Sequence, residues 1–533
     1  MMPLNQQKTI FYKTLTLFLT STVLSGAALA VPAKKQDKPI AKTAEADTTK
    51  EDKPIAKTAE VDATKEDKIK AAPLVTFATI AARSGELLGG AKANQFQDSI
   101  VKAMESAYKT NPDILAQRAA VRSADESVVQ AKAGWRPSLV ATGSVGYTKT
   151  YSKGKTGTLP VQGSETQTAQ LQLTQNLFNG GATTAQIAGA IADIKAQRAL
   201  LIETEQGTLF AAVQAYLGLI TQLAQLEVLR ANENFLKVTL QSTQDRFNVG
   251  EETRTSVAQA EAQYAEATAK RQSAEADLAA KVATYEQVVG RVPGKLEKPE
   301  VPKGLPKTVK EALDRARLNN PTVLKSQFAE IAARRKVDQI NGGLLPSLDV
   351  QGTSGPTKNR TSGGLVGIPE GGNAVSNETV INHAVTLNLK IPLYEAGTTR
   401  SQKRQAIQTA EQNRIQIETA RRRIEQLLIQ IYQTFVAARD NIPYYEQQVR
   451  ANEISVEGTK QEMLVGSKIL LDVLNAQNQL LNAQLALVQA EQSLYESAYQ
   501  ILVLMGMLTA QYMQLQVEHY DPTLHYREIR SSL

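Results

Sequence analysis

Histidine and cysteine are the residues best suited to metal binding and nucleophilic chemistry, and this chain has few of them. Its three histidines are His383, in a predicted strand, and His519 and His525, near the C-terminus. The last two could bind a metal, but a flexible tail is the favoured interpretation. The absence of cysteine excludes disulfides, thiolate metal sites and a cysteine nucleophile. No Gly-rich phosphate loop or serine-nucleophile motif occurs in a matching context, so an enzyme is disfavoured and no cofactor is expected.

The composition is typical of long helices rather than of one thick core. Among 533 residues only 5% are aromatic, with one tryptophan, whereas Ala, Gln, Leu, Glu and Arg are plentiful. The net charge is +7, but 53 acidic residues are interspersed with 60 basic ones. The run Arg421–Arg423 is interpreted as a hydrated helix face. Since no basic patch is concentrated, nucleic acid is not an expected partner.

The N-terminal residues 1–30 have the pattern of a secretory signal peptide. Lys8 and Lys13 precede an apolar stretch from Leu15 that ends in Ala28-Leu29-Ala30. The alternative is a membrane anchor, but the stretch is rich in Thr and Ser and is shorter than the ~20 apolar residues that a span needs. No later segment is judged apolar over such a length. If the mature chain crosses a membrane, we therefore expect it to cross as strands.

Residues 31–95 are predicted to be a disordered, charged linker. The segment Asp37–Glu45 recurs fifteen residues later as Asp52–Glu60, with mixed charge and no aromatic residue. Such a composition cannot offset the entropy of ordering. A peptidoglycan-binding or partner-binding role for this repeat is the alternative.

A larger duplication organises the rest of the chain. It defines a first repeat at 96–305, a second at 306–510 and a C-terminal tail at 511–533. Matching residues stand first 209 and then 216 positions apart, which is the mark of one repeated unit. The clearest pairs are Asn111-Pro112 with Asn320-Pro321, Pro137-Ser138-Leu139 with Pro346-Ser347-Leu348, Gly181 with Gly397, Val249-Gly250 with Val465-Gly466, and Glu275 with Glu491.

Each repeat is predicted to contain a helix, two strands, a long helix, a turn and a further helix. In the first repeat a helix over about 97–132 precedes strands over 139–147 and 167–178. In the second, a strand begins at Ser347, and alternating apolar residues from Val385 to Leu393 predict its partner. Strands of ~9–11 residues can cross a bilayer when they are tilted. Soluble hairpins are the alternative if the strands are considered alone.

The long helices favour membrane-crossing strands over soluble hairpins. A helix over about 182–247 would be roughly 100 Å long. Pro443 predicts a kink or break near Asn441 in the second copy. Four-three spacing predicts packing against neighbouring helices, although a simple coiled-coil spacer would show the same periodicity. The spaced residues are Leu209, Val213, Tyr216, Ile220 and Leu223 in the first copy, and Ile424, Leu428, Ile431 and Phe435 in the second.

The signal peptide, the duplication and the turn motifs Arg246–Gly250 and Met463–Gly466 together resemble the TolC-like outer-membrane factors over residues 96–510. The resemblance implies an α+β membrane protein that forms a homotrimer. Each subunit would give four strands to a 12-stranded barrel in outer-membrane lipid and its helices to a periplasmic tunnel. It also implies an inner-membrane transporter and a periplasmic adaptor as partners, for multidrug efflux or type I protein secretion.

The resemblance further implies a gate at the helix–turn–helix tips, which reverse at Gly250 and Gly466. The family usually has two inward-facing aspartates three residues apart, and this chain has Asp472 and Asn475 there. Three Asp472 carboxylates would form a cation-selective ring, whereas a solvated helix charge is the alternative.

Three departures from the family pattern lie at the same tips. Ser256 stands where an aspartate is found in the family's best-known member, and Met463 replaces a common tyrosine. Lys468 occupies the position of a basic latch residue, with Thr255 and Ser256 as its expected neighbours. Because neutral partners bind a lysine less strongly than a carboxylate does, we expect a loosely latched gate.

The remaining alternative is a periplasmic structural or adaptor protein built from coiled-coil hairpins. An adaptor should carry one hairpin flanked by soluble β-domains. This chain instead has two hairpin units, each with its own strand pair, and the export channel is therefore favoured.

Overall fold

In the computed structural model, the described residues are 74–88, 96–150, 153–154, 157–158, 162–364 and 373–532. The predicted signal peptide and the 15-residue repeat of the linker lie outside these ranges. A short helix, α1 (Phe77–Leu87), precedes the duplicated region.

The two repeats contain the same main elements in the same order. The first comprises β1 (Gln97–Asp98), α2 (Ile100–Thr110), α3 (Pro112–Ala133), β2 (Ser138–Thr150), β3 (Lys153–Gly154), β4 (Gly157–Thr158), β5 (Gln162–Asn179), α4 (Ala182–Asn248), α5 (Arg254–Val289) and β6 (Lys295–Leu296). The second comprises α6 (Val309–Asn319), α7 (Pro321–Gly342), β7 (Ser347–Gly364), β8 (Asn373–Lys390), α8 (Thr398–Leu464) and α9 (Leu470–Leu504). A C-terminal helix, α10 (Leu524–Ser532), follows.

The four long strands form one antiparallel sheet in the order β2-β5-β7-β8. Residues directly opposite one another on neighbouring strands share a face of the sheet. Ala141 pairs with Leu171, and Val350 pairs with Leu387, so the apolar residues of all four strands lie together. This apolar face is open to solvent in a single chain; Val385, for example, is 83% exposed. Its main members are Leu139, Val145, Leu171, Leu173, Ile381, Val385, Leu387 and Leu389.

The opposite face of the sheet is mainly polar. Thr142 pairs with Gln170, and Gln351 pairs with Thr386, so hydroxyl and amide side chains line it. The outer strands β2 and β8 each have one edge that no other described strand of the same chain pairs with. Such edges carry unpaired backbone N–H and C=O groups.

The helices form two long hairpins, α4–α5 and α8–α9. Both α4 and α8 are 67 residues long, about 100 Å at 1.5 Å per residue. The spaced residues from Leu209 to Leu223 are fully buried in the main core, which confirms their packing against other helices. One 18-residue window of α4 is apolar enough to span a membrane, contrary to the sequence-based expectation. Because most of this window is buried within the protein, it has the character of a core helix.

Two predicted element boundaries and one predicted helix break are wrong. The helix predicted over 97–132 is divided between α2 and α3, because Asn111 adopts an extended conformation and caps α3 through Asp113 N–H. Pro112 then takes the first helical position, where its missing N–H costs nothing. Strand β8 ends at Lys390 rather than Leu393, just before Pro392, which lacks a ladder donor. Helix α8 continues through Pro443 without the expected break.

Two segments predicted to be flexible are packed. The end of the linker forms α1, with Phe77 and Ile80 buried in the main core. The C-terminal tail is also ordered: the backbone N–H of Tyr520 donates to the hydroxyl of Tyr108 at 3.2 Å. Arg118 lies between the rings of these two tyrosines, 4.7 and 5.0 Å from their centroids. His525 lies in α10, with its Nε2 3.7 Å from Glu126 Oε1, so the expectation of a flexible tail is wrong.

Candidate functional site

The tips of the two hairpins reverse the chain in the same way. Gly250 and Gly466 have φ values of +83° and +79°, a left-handed conformation that favours glycine. Each glycine N–H donates to a carbonyl three residues earlier, Phe247 O in one tip and Met463 O in the other, at 3.0 Å. These bonds satisfy carbonyls at the C-terminal ends of α4 and α8. The turn glycines therefore lie where the sequence predicts them.

Asp472 lies in the first turn of α9, and its carboxylate caps that helix. Asp472 Oδ2 accepts the backbone N–H of Ile469 at 3.3 Å. Asn475 follows one turn later and is exposed, whereas Val473 and Leu474 between them are buried. Residues three apart lie on one helix face. Asp472 and Asn475 therefore share the face of α9 that points away from the core of its own chain.

The expected latch residues are not joined within one chain. Lys468 is exposed, and no described hydrogen bond or ion pair connects it to Thr255 or Ser256. Ser256 instead bonds Thr253: its backbone N–H donates to Thr253 Oγ1 at 3.1 Å, and the two hydroxyls are also 3.1 Å apart. Thr255 is exposed. The role of Thr255 and Ser256 as neighbours of Lys468 in the gate therefore stays a prediction.

A small apolar cluster joins the two tips. Leu236 of α4 packs with Leu470 and Leu474 of α9, and Met463 of α8 lies against them. Directly above this cluster, the buried amides of Asn232 and Gln477 meet, with Gln477 Nε2 donating to Asn232 Oδ1 at 2.9 Å. Met463 therefore contributes packing at the position where a tyrosine would offer a hydroxyl.

The sequence did not reveal a second site, where α1 crosses the helices. The backbone N–H of Phe77 donates to Glu491 Oε2 at 2.9 Å, and the Phe77 ring stacks on Tyr495 with centroids 5.8 Å apart. Burial raises the pKa of Glu491 to about 7, although the bond from Phe77 partly opposes the shift. The duplication was the one available signal. Glu491 is the second-repeat equivalent of Glu275, but the second repeat has no arginine at the positions equivalent to Arg230 and Arg271.

The sequence also did not reveal a buried polar network around Asp98. Asp98 is fully buried and accepts hydrogen bonds from Tyr285 at 2.5 Å and from Arg291 at 2.6 Å. The backbone N–H of Gly294 donates to it at 3.3 Å. This network ties the end of α5 to β1, which pairs with β6.

The histidines are dispersed rather than assembled. His383 Nδ1 lies 2.9 Å from Ser354 Oγ on the apolar face of the sheet, far along the chain from the tail histidines. Among the residues that the structure describes, no group of three or more His, Asp or Glu side chains could hold a metal ion.

The model of the family described as "Outer membrane efflux protein" matches residues 103–291 and 312–507, one match in each repeat. The chain belongs to this family. It is 34% identical to the outer membrane efflux protein BepC of Brucella suis biovar 1, across 84% of this chain and 93% of that protein. It is 26% identical to the outer membrane protein TolC of Escherichia coli K12, across 80% and 86%.

The fold agrees with this membership. The crystal structure of the outer membrane protein VceC from Vibrio cholerae superposes with a TM-score of 0.62 at 19% identity, covering 76% of this chain and 96% of that one. The protein is therefore an export channel of the outer membrane that extends into the periplasm. The alternative of a periplasmic adaptor is wrong.

Proposed function

We propose that three copies of the chain assemble into one passive exit duct, a 12-stranded barrel continued by a tunnel of helices. The observation that carries this proposal is the pair of unpaired strand edges on β2 and β8. Open edges are not tolerated in lipid, so four strands cannot remain alone in a membrane. With β2 and β8 antiparallel to their neighbours, β8 of one copy can pair with β2 of the next in the same antiparallel sense. Three copies close the ring with an even number of strands.

The two faces of the sheet support the same assembly. The exposed apolar face, with Val385 and Leu387, suits contact with lipid. The polar face, with Gln172 and Thr353, suits a water-filled interior. In a closed barrel of eight strands, side chains can fill the interior. A barrel of twelve strands is wider and therefore leaves room for cargo. Apolar-out and polar-in alternation is the general pattern of membrane-spanning barrels.

The tips supply a gate in this proposal. Threefold symmetry brings three Asp472 carboxylates to one ring, with Asn475 one turn above them. Lys468 is exposed in the single chain and would bond a neighbouring subunit, where Thr255 and Ser256 offer only neutral oxygens. Met463 has no hydroxyl to hold the tips, so the resting gate is loosely latched.

The duct acts with an inner-membrane transporter and a periplasmic adaptor, in drug efflux or type I protein secretion. Among the described strand residues, the polar face carries mostly hydroxyl and amide groups, which suit passive passage of cargo. Specificity for cargo therefore comes from the transporter.

The test combines assembly and conduction. The full chain, expressed with its native N-terminus, should fractionate with outer membranes as a heat-modifiable trimer and should conduct ions in planar lipid bilayers. Recovery as a soluble periplasmic monomer, or trimers that never conduct under any applied voltage, would refute the proposal.

A further inference from the structure

Helix α1 contacts both long hairpins of the same chain. On one side, Phe77 bonds Glu491 and stacks on Tyr495, both in α9. On the other side, Arg83 forms an ion pair with Glu227 of α4. Between them, Ser84 Oγ accepts the backbone N–H of Leu296 in β6 at 2.9 Å. The helix therefore bridges α4 and α9, which also pack against each other in the main core.

The two contact points lie at matching heights above the tips. Glu227 is 21 residues before the end of α4 at Asn248, and Glu491 is 21 residues after the start of α9 at Leu470. At 1.5 Å per residue both lie roughly 30 Å from the turns. A bridge at this height resists any motion that separates α9 from α4 below it.

The second repeat is adapted to receive α1, and the first is not. Positions 230, 271 and 279 hold Arg, Arg and Ala in the first repeat, whereas their equivalents are Glu446, Leu487 and Tyr495. Arg230 and Arg271 bind Glu275 in the first repeat. In the second repeat these partners are absent, and the helix amide of Phe77 and the ring of Tyr495 complete the site. This divergence gives each subunit one bridge.

The interface that α1 reinforces is thin below the bridge. The apolar cluster at the tips has five buried residues, two of which are alanines, Ala260 and Ala267. The next layer is the amide pair Asn232–Gln477. Amides lose little when they separate into water, because solvent replaces their hydrogen bond. Below the bridge few packed residues therefore join the hairpins, whereas at and above it the main core packs α4 against α9 and α1 adds to that contact.

We infer that α1 is an intramolecular strap that restrains the separation of the two hairpins and thereby limits opening of the periplasmic end. The inference rests on the proposed channel function. Helix α1 precedes residues 103–291 and 312–507, which the family model matches.

Releasing the strap should increase channel opening. Phe77→Ala removes the stacked ring, and Arg83→Ala removes the ion pair to α4. Since an aromatic pair and a partly buried ion pair are each modest interactions, we expect the open probability in planar bilayers to rise about tenfold for Phe77→Ala and less for Arg83→Ala. The matched control is Glu86→Ala, an exposed residue of the same helix, which should leave opening unchanged.

Tightening the strap should have the opposite effect. The chain has no cysteine, so Arg83→Cys with Glu227→Cys creates one pair that a short bismaleimide can join. Cross-linked channels should open less often than the same channels before treatment, a change that misfolding cannot mimic.

Hydrogen exchange of residues 74–88 reports whether α1 has left its site. If this segment exchanges freely in Phe77→Ala while opening stays at the wild-type level, the strap inference is overturned. An unchanged opening rate after cross-linking would overturn it as well. Neither result touches the channel proposal, which fails if the wild-type protein is recovered as a soluble monomer or if its trimers do not conduct.

Discussion

Glu275 and Glu491 occupy equivalent positions in the two repeats but have different environments. Glu275 accepts hydrogen bonds from Arg230 at 3.0 Å and from Arg271 at 2.7 Å, and these bonds lower its pKa. Glu491 is covered by α1 and accepts only the N–H of Phe77, so burial raises its pKa to about 7. One of the two equivalent carboxylates thus bonds α1, while the other lies in a surface ion-pair network.

The raised pKa makes docking of α1 depend on pH. Lys298 and Glu446 face Glu491 with opposite effects, and burial outweighs both. Because the docked state binds the proton more tightly than the free carboxyl with its ordinary pKa of 4.5, docking is strongest in acid. It weakens as the pH rises through about 7. Hydrogen exchange of residues 74–88, corrected for intrinsic rates, should therefore increase between pH 6 and pH 8. Glu491→Gln keeps an acceptor for Phe77 and should remove the dependence, whereas Glu86→Gln should not.

The proposed ring of three Asp472 carboxylates predicts block of the channel by trivalent cations. Asp472→Asn keeps an oxygen that can accept the N–H of Ile469 but removes the charge. Because the charge that attracts the cation is lost, we expect the blocking concentration to rise by roughly tenfold or more. Each tenfold rise corresponds to a loss of about 1.4 kcal/mol of binding free energy. Asn475→Asp restores a second carboxylate on the same face and should strengthen block. Titration of bilayer currents measures both, and unchanged block in Asp472→Asn would remove this residue from the gate.

The proposed loose latch at the tips predicts a measurable resting conductance. The double variant Met463→Tyr with Ser256→Asp adds a hydroxyl and a carboxylate, the latter a charged partner for Lys468 of a neighbouring subunit. Resting conductance should fall in the double variant and recover when Lys468→Ala is added. A very low resting conductance in the wild type, unaltered by the double variant, would contradict this prediction.

Gly180 and Ala396 are a matched pair at the junctions of sheet and helix. Gly180 has φ +64°, and a Cβ there would meet Gly342 O at 2.3 Å. Ala396 holds the same left-handed conformation, with φ +50°, at the equivalent position of the second repeat. Gly180→Ala should therefore lower the thermal unfolding midpoint clearly, whereas Ala396→Gly should stabilise by about 1 kcal/mol through relief of backbone strain. A loss in Gly180→Ala no larger than the gain in Ala396→Gly would show that the close approach of Gly342 does not matter.

The Asp98 network predicts a large and local loss of stability. Asp98→Ala leaves the guanidinium of Arg291 and the hydroxyl of Tyr285 without their shared partner. Removal of one member of a buried charged pair costs about 3–5 kcal/mol. The exposed Asp277→Ala on α5 is the control and should stay within about 0.5 kcal/mol of the wild type. Chemical denaturation in detergent compares the two.

The sequence determined the features that depend on local pattern. The absence of proline from Ala182 to Val292 and the turn motif Arg246–Gly250 predicted α4 to within one residue of its end at Asn248. Alternating residues located the strand pairs, and the glycines fixed the turns, because periodicity and backbone freedom are properties of neighbouring residues. The duplication, the long helices and the turn motifs together were sufficient to identify the family.

Only the tertiary structure decided which long-range partners each element would find. Phe77 meets Glu491 across 414 residues, and Tyr520 meets Tyr108 across 412, so neither α1 nor the packed tail was visible in local composition. Helix α8 also continues through Pro443 without a break, although an interior proline removes one backbone hydrogen-bond donor. Burial of a polar group depends on what the rest of the chain places over it, and that is a property of the folded state.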